Sequence, residues 1–207
     1  MMIVFDMEGV LVDGELLPKL AKLIEKEREV EELTLKGIKG DIDWETGLRQ
    51  RIELLKGIKR EAVEKVANQM KLMKNAKETC RKLKDMGFTL VSVTGGFDVL
   101  AERVKEELGL DYVFSNEMVF NGDKLTRINL KVNNDKRLAI EDLIEELGED
   151  KEDVITVVEG ANDLSLFKIS GLKIAFNAQE LIEREADIVI EEKDLSRLIP
   201  ILSKTKN

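Results

Sequence analysis

Acidic residues cluster in two short motifs whose side chains could together hold a metal cation. The first motif contains Asp6 and Glu8, and the second contains Glu159 and Asp163. Four carboxylates brought into one pocket would repel one another strongly unless a cation or protonation relieved the repulsion. The chain has no histidine and a single cysteine, so its metal ligands must be oxygen atoms, which Mg²⁺ prefers. We therefore predict Mg²⁺ as the cofactor.

A third motif, Thr94-Gly95-Gly96, has the features of a phosphate-binding loop. We expect its hydroxyl and unobstructed backbone N–H groups at the start of a helix, where anions bind. Lys136, at the start of a later predicted helix, adds a positive charge. A divalent metal, a lysine and backbone N–H groups that face a carboxylate are the components of phosphoryl transfer with an aspartate nucleophile.

Composition excludes several other kinds of chemistry and of binding partner. The absence of histidine from the 207 residues excludes a serine–histidine triad, a histidine phosphatase and an ordinary zinc site. With 33 basic and 42 acidic residues the net charge is -9, which argues against nucleic acid and anionic membranes as partners. No stretch approaches the roughly 20 apolar residues that a membrane span requires.

Several features favour a cytoplasmic protein. The chain reaches Asp6 without a basic segment or a cleavage site, so we expect no secretory signal. Cys80 is the single cysteine and cannot form an internal disulfide, which fits the same compartment. Charged residues make up 36 % of the chain, mostly lysine and glutamate, and this favours a thermophilic source. The sequence does not indicate an oligomeric state.

The elements that must position these motifs alternate between strands and helices. Apolar, β-branched runs predict strands at residues 2–5, 88–93, 154–158, 172–176 and 187–190. Helices are predicted at residues 75–86, 97–108 and 135–147, each followed by a glycine. This alternation predicts an α/β fold with a doubly wound, mostly parallel, Rossmann-like sheet. The three motifs follow predicted strands, at the sheet edge where such folds bind ligands.

Two segments interrupt the alternation. Residues 113–130 contain an Asn121-Gly122 turn between apolar runs and predict a β-hairpin. Residues 14–74 are helical in pattern, with helices predicted at 16–27, near 31–35, at 44–55 and at 60–70, and a flexible joint at 37–40. Because helices cannot continue a parallel sheet, we expect a helical cap at 14–74, inserted into a core formed by 1–13 and 75–207.

The three motifs and Lys136, in their order along the chain, resemble the haloacid dehalogenase superfamily of phosphotransferases. The resemblance covers essentially the whole chain, including the position and size of the helical insertion. Its most specific part is residues 160–167, Gly-Ala-Asn-Asp-Leu-Ser-Leu-Phe. The resemblance implies a phosphomonoester hydrolase that forms an aspartyl phosphate and acts on a small phosphorylated metabolite, with O-phosphoserine as the expected substrate.

The resemblance also implies a role for each candidate residue of the core. Asp6 is the nucleophile and Glu8 the general acid/base, while Lys136 contributes to both catalysis and phosphate binding. The residues that border the phosphoryl group are Thr94, Gly95, Lys136 and Asn162. The residues that hold Mg²⁺ are Asp6, Glu8 through its backbone carbonyl, Glu159 and Asp163, with Asn162 in support.

Three residues of the predicted cap match the family's substrate-binding positions. Glu15 and Arg51 match the residues that hold an ammonium and a carboxylate, and Trp44 matches an aromatic pocket wall. A zwitterionic amino acid needs one such anion and one such bidentate cation. The alternative for Glu15 and Arg51 is a surface ion pair, and the alternative for Trp44, after a possible N-cap at Asp43, is a packing role.

The chain departs from the family's pattern in each acidic motif. The family has aspartate where this chain has Glu8 and Glu159, and Ser-Thr where it has Gly9-Val10. Glutamate moves the carboxyl group by about 1 Å, and misplacement on that scale can cost roughly 10²-fold in rate. Two alternatives therefore stay open. One is a phosphatase or phosphotransferase of the same fold with another small substrate, and the other is a weakly active module that binds phosphate or an amino acid.

Overall fold

A seven-stranded sheet forms the centre of the protein, seen in a computed structural model that describes residues 1–39 and 41–205. The strands are β1 (Met2–Phe5), β2 (Thr89–Phe97), β3 (Tyr112–Asn121), β4 (Lys124–Asn129), β5 (Val154–Val158), β6 (Leu172–Phe176) and β7 (Ile188–Ile190). Their order in the sheet is β4-β3-β2-β1-β5-β6-β7. Adjacent strands are parallel except β3 and β4, which are antiparallel. The predicted mostly parallel α/β fold is confirmed.

Strand β1 lies at the point where the strand order reverses. It pairs with β2 on one side and β5 on the other, so that Ile3 is in register with both Leu90 and Ile155. Every residue of β1 and of β5 is buried, which explains why both read as apolar runs without alternation. The crevice at such a reversal is where ligands bind in open α/β sheets.

Helices cover both faces of the sheet. The α-helices of the described residues are α1 (Leu16–Leu23), α2 (Glu27–Lys39), α3 (Trp44–Leu55), α4 (Arg60–Gln69), α5 (Ala76–Asp85), α6 (Asp98–Leu108), α7 (Glu141–Leu147), α8 (Leu164–Phe167), α9 (Glu180–Glu185) and α10 (Leu198–Leu202), and α5 to α10 pack on the sheet. Alternate residues of β1 enter two different cores: Ile3 packs in the same cluster as α5, α6 and α10, whereas Val4 packs with α7, α8 and α9. No helix within residues 1–39 and 41–205 combines the length and apolar character needed to cross a membrane.

Helices α1 to α4 follow β1 before the chain returns to the sheet, and we call residues 16–69 the helical insertion. The predicted bounds of α3 are confirmed, and Asp43 caps it by accepting a hydrogen bond from the backbone N–H of Thr46 at 3.0 Å. The prediction of a joint at 37–40 was wrong for its first three residues, since α2 extends through Lys39. A glycine inside a helix costs only about 1 kcal/mol relative to alanine, so Gly37 need not end one. The fourth residue, Gly40, lies outside the described residues.

Thr94-Gly95-Gly96 leads into a helix as predicted, but the helix begins one residue later than expected and the motif itself belongs to a strand. Strand β2 continues through these residues to Phe97, and α6 begins only at Asp98. The register with β3 shifts between Val93 and Phe97, so the extra residues bulge from the sheet. The motif therefore presents extended backbone to the crevice.

The predicted hairpin is confirmed, with a turn one residue later than expected. Asn121 pairs with Lys124, so the loop between β3 and β4 consists of Gly122 and Asp123. The helix predicted at 135–147 consists of a short 3₁₀ helix, Lys136–Ala139, followed by α7.

Asp194 joins the chain just after the helical insertion to the C-terminal segment. It accepts hydrogen bonds from Nδ2 of Asn75 at 2.8 Å and from Oγ of Ser196 at 2.6 Å. The ammonium of Lys74 lies 2.8 Å from its other carboxylate oxygen. These partners, Lys74 above all, hold the pKa of Asp194 well below its ordinary range.

Asp194→Ala should lower the melting temperature at pH 7. The difference in melting temperature from the unmodified protein should become smaller in acid. Because the folded-state pKa is depressed, the charged carboxylate stabilises the fold fully above the ordinary pKa of aspartate, about 3.9. That stabilisation is lost as the pH falls through the lower folded-state pKa. Thermal denaturation of both proteins at pH 7 and in steps below pH 4 measures the difference. A deficit that stays constant down to the lowest pH would contradict a depressed pKa.

Candidate active site

The three motifs and Lys136 meet at the carboxyl ends of β1, β2 and β5. They form one wall of a pocket of about 520 Å³ whose other wall is the helical insertion. The predicted site residues that line it are Asp6, Glu8, Glu15, Trp44, Arg51, Thr94, Gly95, Lys136, Glu159 and Asn162. Asp163 lies beneath this surface with no exposed area. The structure thus brings together residues that are up to 157 positions apart in the sequence, from Asp6 to Asp163.

Lys136 lies between two carboxylates at the base of the pocket. Its side chain is 2 % exposed, and its ammonium is 2.9 Å from Oδ1 of Asp6 and also pairs with Oδ1 of Asp163. Burial alone lowers the pKa of a lysine, but the charges of Asp163 and Asp6 outweigh it and raise the pKa of Lys136 above its ordinary value. Lys136 is therefore a fixed cation. The backbone N–H of Lys136 donates a hydrogen bond to Oγ of Ser165 at 3.0 Å.

Asp163 is the least accessible carboxylate of the site. Burial raises its pKa, and the nearby charge of Asp6 raises it further, whereas Lys136 opposes the shift. The backbone N–H of Gly160 donates to its Oδ2 at 3.3 Å. Asp163 consequently needs the positive charge of Lys136, or another cation, to remain ionised.

Glu8 connects the end of β1 to the helical insertion. Its Oε1 accepts a hydrogen bond at 2.5 Å from the backbone N–H of Leu16, the first residue of α1. Burial of the carboxyl group raises the pKa of Glu8 to about 7, with further contributions from Glu15 and Asp6. A carboxyl group that titrates near neutral pH can both donate and accept a proton, as a general acid/base must.

Glu159 follows β5 and reaches across to the loop after β1. A Cβ atom placed on Gly9 would lie 1.3 Å from Oε2 of Glu159, so the carboxylate occupies the space above that glycine. Burial raises the pKa of Glu159 to about 7, and the charges of Asp6 and Glu15 add to the effect. Glu159 therefore belongs to the same crowded group of acids as Asp6.

The Thr94-Gly95-Gly96 segment is held by two hydrogen bonds. The backbone N–H of Gly96 donates to Oγ1 of Thr94 at 2.9 Å, which leaves the Thr94 O–H available to donate to a ligand. Asn116 donates from Nδ2 to the carbonyl of Gly95 at 3.0 Å. Asn116 is fully buried, and its Oδ1 accepts from the backbone N–H groups of residues 131 and 132 at 2.8 and 2.9 Å. It thus ties the segment to the stretch of chain that leads to Lys136.

Sequence reasoning missed Asn116 and Ser165 as supports of this site. Asn116 is a polar residue inside the segment predicted as a hairpin. A polar side chain within a predicted strand was the one sign in the sequence that it could have a hydrogen-bonding role. Ser165 lies within the most specific motif, but its bond to Lys136 spans 29 positions and depends on the fold.

Arg51 projects from α3 into the pocket and is held by its own helix. Its Nε donates to the carbonyl of Gly47 at 3.2 Å, and its Nη1 lies 3.5 Å from Oγ1 of Thr34 on α2. Burial lowers the pKa of Arg51, while the charges of Glu15 and then Glu8 raise it. Arg51 thus faces acidic side chains of the pocket.

Trp44, at the start of α3, lies directly on the Thr94-Gly95-Gly96 segment. A Cβ atom on Gly95 would be 2.8 Å from Cζ2 of its indole ring, so the helical insertion and the core touch through this pair. Trp44 is half-buried and also packs against the main core cluster. Trp44 thus both lines the pocket and packs against the core.

The acidic residues of the pocket fit a hard divalent cation in their chemistry. Burial raises the pKa of Glu8, of Glu159 and of Asp163, and nearby acidic charge adds to each shift, which indicates negative charge that Lys136 does not balance. Within the part of the chain that the structure describes, no three acidic, cysteine or histidine side chains converge as a ready metal cage. Mg²⁺ commonly needs only one or two protein carboxylates and completes its coordination with water and substrate oxygens.

A family model described as a haloacid dehalogenase-like hydrolase matches residues 1–171. The chain belongs to this family. Among its relatives, the chain is 37 % identical over 201 residues to a phosphoserine phosphatase of Methanocaldococcus jannaschii, covering 96 % of this chain and 95 % of the relative. The expected superfamily is thus confirmed by a match over nearly the whole sequence.

Solved structures of haloacid dehalogenase-like hydrolases share the fold in full. One, described as a phospho-aspartyl intermediate analogue of phosphoserine phosphatase, superposes with a TM-score of 0.91 at 36 % identity and covers 97 % of both chains. A substrate-bound phosphoserine phosphatase complex superposes with the same TM-score at 35 % identity and the same coverage. Phosphoserine phosphatases of this family use a divalent metal ion.

Asn116→Ala should lower kcat/KM for p-nitrophenyl phosphate by roughly 10²-fold, the loss that about 1 Å of misplacement causes in an active site. The reason is that the carbonyl of Gly95 loses its buried anchor. Steady-state kinetics measure the loss, and circular dichroism confirms that the variant is folded. Asn129→Ala is the matched control, because Nδ2 of Asn129 bonds to Glu117 at 3.2 Å outside the pocket. Equal activity of the two folded variants would contradict a positioning role for Asn116.

Proposed function

We propose that this protein is a phosphoserine phosphatase, which hydrolyses O-phosphoserine to serine and inorganic phosphate. One observation carries the proposal: Asp6 is held 2.9 Å from the buried ammonium of Lys136 and faces the same pocket as Arg51 of the helical insertion and Glu15, which directly precedes that insertion. Asp6, with Lys136 beside it, would act on the phosphoryl group. The carboxylate of Glu15 and the guanidinium of Arg51 would bind the ammonium and the carboxylate of an amino acid. The similarity to the phosphoserine phosphatases named above supports the same reaction.

In the first step, a carboxylate oxygen of Asp6 attacks phosphorus and the bond from phosphorus to the serine oxygen breaks. Glu8 donates its proton to the leaving oxygen, which departs as the serine hydroxyl. Lys136 holds Asp6 in position and offsets negative charge on a phosphoryl oxygen. The free O–H of Thr94 donates a hydrogen bond to a second phosphoryl oxygen.

In the second step, water attacks phosphorus of the aspartyl phosphate. Glu8, now a carboxylate, accepts a proton from the water, and the bond between phosphorus and the Asp6 oxygen breaks. Inorganic phosphate leaves, with Asp6 ionised and Glu8 protonated as at the start. A pKa near 7 suits Glu8 to both steps, because neither protonation state is strongly disfavoured at neutral pH.

We propose Mg²⁺ as the divalent cation of this site. The residues that would hold it are Asp6, Glu8 through its backbone carbonyl, Glu159 and Asp163, with Asn162 in support. When bound, the ion supplies positive charge that offsets the charge of the phosphoryl oxygens. The raised pKa values of three acidic side chains support the need for such a cation.

The helical insertion supplies the proposed specificity. Arg51 would bind the substrate carboxylate through its guanidinium, which Gly47 and Thr34 already orient. Glu15 lies on the same pocket and would bind the ammonium, while Trp44 forms a wall beside the phosphoryl group. A bare phosphomonoester would use only the core half of the pocket.

Asp6→Asn should abolish phosphate release from O-phosphoserine. An amide cannot form the acyl phosphate, whereas its size and packing are almost unchanged. A phosphate-release assay measures turnover, and thermal denaturation checks the fold. Turnover above trace level in this variant would exclude covalent catalysis at Asp6.

Arg51→Ala should raise KM for O-phosphoserine by at least about 10-fold, because a charge-assisted contact to the carboxylate is lost. KM for p-nitrophenyl phosphate should hardly change, since that substrate has no carboxylate. Steady-state kinetics with both substrates measure this difference.

Arg49→Ala is the matched control for Arg51→Ala. Arg49 lies on the same helix, pairs with Glu45 and does not line the pocket. Its removal should change neither KM. An equal rise in KM for both substrates in Arg51→Ala would assign Arg51 a structural role. No rise in KM for either substrate would exclude Arg51 from substrate binding.

A further inference from the structure

Glu159 reaches a position that only a glycine at residue 9 leaves open. The Oε2 atom of Glu159 lies 1.3 Å, and its Cδ atom 2.5 Å, from the point where a Cβ on Gly9 would stand. Both distances are far shorter than a van der Waals contact, so any side chain at residue 9 would exclude the present conformation of Glu159.

The backbones on both sides of this contact are fixed. In the loop after β1, the N–H of Gly9 donates to the carbonyl of Val12 at 2.8 Å, and the carbonyl of Met7 accepts from Val12 at 2.9 Å. On the other side, the carbonyl of Glu159 accepts from the N–H of Gln179 at 3.0 Å. Neither chain can move away easily, so a clash would be resolved by rotation of the Glu159 side chain out of its place.

The second long acidic side chain of the pocket shows the same relation to a glycine. A Cβ on Gly96 would lie 2.5 Å from Oε2 of Glu8. Each of the two glutamates in the acidic motifs therefore lies above a residue without a side chain. A carboxylate on the longer side chain needs extra room near the nucleophile, and a glycine across the pocket provides it.

We propose that Gly9 is a positioning residue for Glu159, and that the two residues form a matched pair. Gly9 acts through the space that it leaves: it allows the glutamate carboxylate to lie beside Asp6, where a cation would be shared. This inference rests on the proposed metal-binding role of Glu159. It predicts that the effect of a side chain at residue 9 depends on the length of the acid at residue 159.

Four variants of the full chain test the pair: Gly9→Ala, Glu159→Asp, the double variant, and Gly57→Ala as control. Gly57 has the same φ of +86° as Gly9, but a Cβ there meets nothing within 4 Å. Alanine at either glycine adopts the same strained backbone, so Gly57→Ala reproduces the strain without the clash. Gly57 does not line the pocket.

The readout is binding of Mn²⁺, a hard divalent ion whose free form is counted by electron paramagnetic resonance. Gly9→Ala should raise the dissociation constant by at least about 10-fold, as loss of a correctly placed metal ligand or its support does. In the Glu159→Asp background the same alanine should change it by less than about 2-fold, because the shorter acid leaves room for the methyl group. Gly57→Ala should bind Mn²⁺ like the unmodified protein, with a melting temperature lowered as in Gly9→Ala.

Equal fold-changes from Gly9→Ala in the two backgrounds would overturn the pairing while leaving the metal site intact. A loss of Mn²⁺ affinity in Gly57→Ala as large as that in Gly9→Ala would also overturn the pairing, since backbone strain alone would then account for the effect. Absence of Mn²⁺ binding to the unmodified protein would overturn both the pairing and the metal role proposed above.

Discussion

The buried ion triad of Lys136, Asp6 and Asp163 is the constraint on which the rest of the site depends. A lysine whose side chain is 2 % exposed is tolerable only when carboxylates compensate its ammonium for the lost water. Removing one member of a buried ion pair typically costs roughly 3–5 kcal/mol, because a partner is left buried and uncompensated. The three residues lie on separate segments: Asp6 follows β1, Asp163 follows β5, and Lys136 precedes α7. The strand order, with β1 next to β5, is what lets these segments meet.

The triad also determines the charge balance of the pocket. One lysine is shared by Asp6 and Asp163, so it does little for Glu8 and Glu159, both of which have a pKa near 7. A phosphoryl group is itself anionic and would enter a pocket that already carries unbalanced acid. The arrangement would therefore make substrate binding depend on the proposed divalent cation, since the cation offsets the negative charge that the phosphoryl group meets. Arg51 contributes a second cation, but on the opposite wall and facing Glu15 and Glu8.

Features with a local cause could be predicted from the sequence, and features that depend on distant contacts could not. The bounds of β1, β5 and β6 follow from apolar runs, and the core residues of the pocket follow from motifs at the strand ends. Glu15, Trp44 and Arg51 were expected only from the family resemblance. The extension of β2 through Thr94-Gly95-Gly96 was missed because paired glycines usually mark a turn, whereas here the residues on either side, Val93 and Phe97, both pair with β3. Asn116 was missed since its importance lies in bonds to two separate loops. The contact of Glu159 with Gly9 spans 150 positions, and no spacing rule reveals it.

Trp44 gives the molecule an intrinsic optical reporter. It is the single tryptophan of the chain, and its ring rests on Gly95, where the helical insertion touches the Thr94-Gly95-Gly96 segment. Its emission thus comes from one location, at the seam between the two walls of the pocket. Separation of those walls would bring water to the indole and move its emission to longer wavelength. Stopped-flow fluorescence would therefore report any such separation without an attached dye.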